Sequence, residues 1–191
     1  MAIPAILNGT AGAASESGLP SYNAVWNGTN WSPMGTGSGA APLSVGQPGV
    51  VVSATPTLDT SAYAAGDCLH SAVIAFANAV GTNLTGYIEK MVIVDALGQS
   101  AACELWLFSA SVTPAAANAA HAISDADALL CIGVIPSGTY YASSNNSVSV
   151  AKGVNLAIKT AATTLYGILV TRGTPTYGAS SLTVSLLIAQ G

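Results

Sequence analysis

Ser181-Leu-Thr-Val-Ser-Leu-Leu-Ile-Ala189 alternates in the way that decides the fold class. Leu182, Val184, Leu186 and Ile188 fall on one face of an extended chain, with Thr183 and Ser185 on the other. Side chains of a strand alternate with a period of two, so this is a half-buried antiparallel strand. Cys103-Glu-Leu-Trp-Leu-Phe108 repeats the pattern, with Cys103, Leu105 and Leu107 on one face and Glu104 opposite. Further out, short apolar segments separated by Gly, Pro, Asn and Ser run from residue 50 to the end. They predict about eight strands, at 50–57, 67–77, 85–95, 102–109, 129–135, 147–159 (whole or broken near its middle), 164–171 and 181–189. Short strands with such punctuation imply an all-β fold, an antiparallel β-sandwich that is jelly-roll-like.

One segment departs from the β pattern. The Ala-rich run from Thr113 to Leu129 offers Thr113 as a helix cap with Pro114 behind it. Ser124, with Asp125 and Asp127, offers a second start, because acidic residues favour a helix N-terminus. One or two helical turns are expected there, crossing between strands.

Residues 1–49 form a different region, an extended Gly/Pro/Ser-rich N-terminal arm ahead of a β-sandwich domain at 50–191. The arm holds nine glycines, five prolines and a single charged residue, Glu16. Disordered segments are usually poor in aromatics. This one carries Tyr22, Trp26, Trp31 and Met34. Tryptophan is enriched at interface hot spots, so these four are candidate partner-binding residues. They dock either on a neighbouring subunit or on the chain's own domain. Asn27-Gly28 is a hairpin signal, placing Trp26 and Trp31 on the two limbs of a small hairpin. Trp106 and Phe108 are further candidates, since they lie opposite Leu105 and Leu107. A second buried layer or a subunit interface would cover them, or else the 113–128 crossover does.

Charged residues make up only 6% of the chain, against roughly a quarter in an ordinary domain. Free monomers usually display a mixed charged surface. A surface of Ser, Thr, Asn and Gly suits a subunit buried among copies and partners. Net charge is −4 without a basic cluster, which argues against nucleic-acid binding and polybasic membrane attachment. No apolar run is long enough for a membrane helix. The first residues lack a basic secretory n-region, so folding in a cytoplasm is expected. Three cysteines, Cys68, Cys103 and Cys131, are too odd in number for a disulfide framework and read as small core hydrophobes.

No catalytic, metal or cofactor site is expected. Asp125 and Asp127 lack the further oxygen ligands of a Ca²⁺ loop and read as capping residues. Glu89 and Glu104 could be imagined as a glycosidase pair but fall at outward strand positions. There is no nucleophile elbow and no phosphate-cradling glycine loop.

Three stretches carry a resemblance: Thr57-Leu-Asp-Thr-Ser-Ala-Tyr-Ala-Ala-Gly-Asp67, the block Val112 to Asp127, and Leu169-Val-Thr-Arg-Gly-Thr-Pro-Thr-Tyr177. They resemble tailed-bacteriophage virion proteins, and Trp26-Asn-Gly-Thr-Asn-Trp31 is similar to a phrase common in phage fibres. The resemblance implies a capsid decoration (cement) protein with a jelly-roll domain. Its partners would be the phage major capsid protein and copies of itself, as a homo-oligomer expected to be a trimer, on the capsid surface of the virion. A head- or tail-fibre module for receptor or glycan binding is the alternative, with Tyr140 and Tyr141 beside Asn145 and Asn146 as a sugar-stacking surface.

Overall fold

The computed structural model describes residues 24–26, 31–33 and 49–191. The chain divides into two units, Met1–Val45 and Gly46–Gly191. In the first, β1 (Ala24–Trp26) and β2 (Trp31–Pro33) form an antiparallel hairpin with Trp26 opposite Trp31 in register. The Asn-Gly signal is thus answered by a hairpin within the region expected to be an extended arm. Tyr22 and Met34 lie outside the described residues.

The second unit is built from two antiparallel sheets. β3 (Gly49–Ala54), β5 (Thr85–Asp95), β8 (Tyr140–Ala142), β9 (Ser147–Lys159) and β11 (Leu182–Gln190) form one, in the order β3-β11-β5-β9-β8. β4 (Ile74–Phe76), β6 (Cys103–Phe108), β7 (Cys131–Pro136) and β10 (Leu165–Thr171) form the other, in the order β4-β10-β6-β7. Leaving aside the short edge strand β8, the pairing is nested. The outermost strands pair as β3 with β11, the next as β4 with β10, then β5 with β9, and β6 with β7 at the centre. A hairpin ribbon rolled on itself has this connectivity, which is that of the eight-stranded jelly roll.

The alternation of β11 decides which face is inside. Leu182, Val184, Leu186 and Ile188 are fully buried. They meet Ile88, Met91 and Ile93 of β5 and Leu105, Leu107, Leu165 and Leu169 of the facing sheet in one core between the sheets.

Two expectations need correction, and one left open is decided. The strand expected at 67–77 shortens to Ile74–Phe76, because its first half leaves the ladder. There Cys68 makes only an isolated bridge to Val170, and the His70 ring takes over a backbone role, its Nε2 accepting from the Leu169 N–H at 2.9 Å. The 147–159 segment is one strand with a bulge, where Gly153 (φ 64°) and Asn155 (φ 48°) turn left-handed. Only glycine and a few polar residues take that conformation readily, so the kink belongs to this sequence. Thr113 and Pro114 start no helix. The one described helix is α1 (Asp125–Ala128), whose N-cap Ser124 accepts from the Asp127 N–H at 3.1 Å.

Candidate interaction surface

The outer face of the four-stranded sheet is covered by the chain itself. The crossover from Ser109 to Leu130 lies over it and is pinned at both ends. The Ser109 N–H donates to the Leu130 carbonyl at 2.9 Å, and Cys68 exchanges backbone hydrogen bonds with Asn118 and Ala119. Beneath it Phe108, Ile168, Val170, Cys68 and Val112 are buried as a second core, with Trp106, Tyr166, Ile123 and Leu130 packed against them. Phe108 is completely buried. Trp106 and Phe108 are therefore not outward-facing anchors. The crossover reading holds for both, since a strand flanked by an apolar loop buries both of its faces. β10 shows the same effect, being buried along nearly its whole length on either side.

Around Trp106 lie groups with chemistry of their own. His121 stacks on the indole, ring centres 4.7 Å apart, and its Nδ1 lies 3.3 Å from the Cys68 Sγ. Such a pair raises the question of an activated thiol. Burial pushes the Cys68 thiol up, and Cys68 has no exposed surface, so it neither ionises readily nor meets a substrate. Burial also lowers His121, with the Arg172 charge adding to it. Glu104 accepts from Arg172 at 2.6 Å and from the Trp106 Nε1–H at 3.3 Å, and the arginine holds its carboxyl below the usual range. Glu104 is thus half of an ion pair at the edge of the crossover. All three cysteines are free; Cys68 and Cys103 are buried and Cys131 half-buried. Among the described residues no three metal-ligating side chains cluster, and no helix is long and apolar enough to cross a membrane.

The five-stranded sheet presents a different outer face. Rows across it follow from the register. Ser53, Ser185, Val92 and Val150 form one row, and Thr183, Val94, Val148 and Tyr141 another. Hydroxyls pair within these rows, Ser53 with Ser185 at 2.7 Å and Thr55 with Thr183 at 2.8 Å. Val51, Tyr87 and Tyr141 stand 65%, 52% and 66% exposed. All three lysines of the chain, Lys90, Lys152 and Lys159, belong to β5 and β9, and Lys90 pairs directly with Lys152. Like charges facing across a ladder are destabilising, which gives this face a use for an acidic neighbour. The two tyrosines weighed for sugar stacking part company. Tyr141 is exposed, but the Tyr140 hydroxyl turns inward to 3.6 Å from the Cys103 Sγ. Burial raises both the Tyr140 hydroxyl and the Cys103 thiol, the latter to about 11.

The strand alternation could have shown that Lys90 and Lys152 lie on outward positions. It could not show that they sit side by side, because their pairing depends on the bulge at Gly153–Asn155.

No family model matches the chain, and no curated protein or solved structure matches it.

Proposed function

We propose that this chain is a structural subunit of a tailed-bacteriophage particle, a decoration protein that binds the assembled capsid lattice and stabilises the shell. The observation that carries the reading is the outer face of the five-stranded sheet. It is broad, made of valines, hydroxyls and two exposed tyrosines, and its fixed charges are three lysines against Glu89, the other acid of these strands, Asp95, being buried. Such a face offers area and hydroxyl hydrogen bonds rather than a reaction site. A ligand that binds only the assembled shell stabilises it by mass action. The sparse charge of the whole chain fits a subunit whose surfaces are shared with neighbours. No catalytic group or cofactor is proposed.

The test is made on purified particles. Band densitometry should give a copy number in step with the capsid lattice. Recombinant chain added to undecorated shells should bind and raise the temperature at which they open. A Val92→Glu variant, folded but with a carboxylate in the middle of the face, should bind more weakly. A copy number in step with the tail would instead favour the fibre reading, for which the exposed Tyr141 beside Asn145 and Asn146 is the supporting feature. Absence of the chain from particles would end both.

A further inference from the structure

Leu129 is the most exposed large hydrophobic residue described, at 88%. Its neighbour Leu130 takes the inward position, packed on the second core and tied to Ser109, so Leu129 is turned out at the end of α1. Asp125 and Asp127 lie in the same short helix, which has no basic residue in its last turn. The result is an apolar knob with two negative charges beside it. β7, which begins two residues after Leu129, borders with β9 an open cavity of about 280 Å³. Val134, Pro136, Val154 and Leu156 line it, and its one charged wall residue is Lys152. Lys152 is also the residue whose register partner is Lys90.

Knob and groove match in both character and sign. An aliphatic side chain meets an aliphatic wall, and a pair of carboxylates meets a lysine that already has a like-charged neighbour. We infer that Leu129 of one copy docks in the Val134–Leu156 groove of a second copy, with Asp125 and Asp127 set against Lys152. The occupant is a copy of this chain because both complementary halves are on it. Knob and groove are made by different residues of one subunit, so the contact closes either reciprocally in a pair or head-to-tail in a ring. The inference does not depend on the capsid reading, since self-association is measured with no particle present.

The experiment is sedimentation equilibrium on the full chain at micromolar concentration. Association to a defined oligomer is expected. Leu129→Ser and Lys152→Glu should each weaken it by about tenfold or more, because each removes one half of the contact. Both positions are exposed, so circular dichroism should stay as in the parent chain, and melting should not fall; Lys152→Glu should melt slightly higher, since it faces Lys90 with an opposite charge. The Asp125→Lys/Asp127→Lys variant should also dissociate. Mixed with Lys152→Glu, it should associate again, because the charges are exchanged across the same contact. A chain that stays at the mass of one copy overturns the inference. So does an oligomer that ignores Leu129→Ser and Lys152→Glu, or a charge-exchanged mixture that stays apart.

Discussion

The two sheets of this domain have similar alternating sequences and opposite fates on their outer faces. The four-stranded sheet turns Trp106, Phe108, Ile168 and Val170 outward and hides them under the 109–130 crossover. The five-stranded sheet turns out Val92, Val94, Val148 and Val150 with paired hydroxyls, and leaves Val51, Tyr87 and Tyr141 exposed. The composition of the outward positions follows the cover. Tryptophan, phenylalanine and isoleucine sit where a loop excludes water. Valine, serine, threonine and two tyrosines, which suit a pleated half-wet surface, sit where none does. The covered face works for the stability of one chain, and the open one is available for contact between chains.

Truncating a residue under the crossover is the hardest way to break this asymmetry. Phe108→Ala removes a fully buried ring from the second core and should cost about 3–5 kcal/mol, read as a fall in the urea midpoint. A loss no larger than that of a surface substitution would mean the crossover does not seal the face.

A change of pH acts on the same side of the molecule with a smaller effect. His70 is buried, and both its ring nitrogens are used. Nδ1 donates to the Ala72 carbonyl at 2.6 Å while Nε2 accepts from the Leu169 N–H at 2.9 Å. That pattern requires the neutral ring, and burial lowers its pKa from 6.5. A lowered folded-state pKa means that the unfolded chain binds the proton first. Stability is then complete above 6.5 and lost as pH falls below it. His121 is lowered too and adds with the same sign. The carboxyl of Glu104 also loses stability in acid, but only below its ordinary 4.5. The interval between 6.5 and 4.5 therefore belongs to the histidines. Unfolding free energy should decline across it by about 1–3 kcal/mol, the cost of leaving one buried donor unpaired. His70→Gln should flatten most of the slope. A flat profile in the parent chain would mean that Leu169 does not depend on the ring.

The open face should respond least. Tyr87→Ser on the five-stranded sheet should change the stability of the isolated chain by no more than about 0.5 kcal/mol, since little is buried there. The comparison would be blunted by a loss as large as that of Phe108→Ala, because it would show that this face is covered as well.

Period two along Leu182–Ile188 and Cys103–Phe108 was enough to make the chain all-β, place most of its strands and say which side chains face the core. The Ser124 cap and the free, largely buried cysteines were equally legible, because capping and thiol burial are local matters. Alternation shows that a strand has two faces. It is silent on what covers the second, and so Trp106 and Phe108 could be read either way until the crossover was seen to lie over them. The shortening of the 67–77 strand escaped as well, because a histidine ring substituting for a backbone acceptor leaves no trace in hydrophobic pattern. The pairing of Lys90 with Lys152 and the Leu129 knob with its groove depend on register, bulge and crossover path. Those are set by contacts between residues far apart in the chain, and only the folded molecule brings them together.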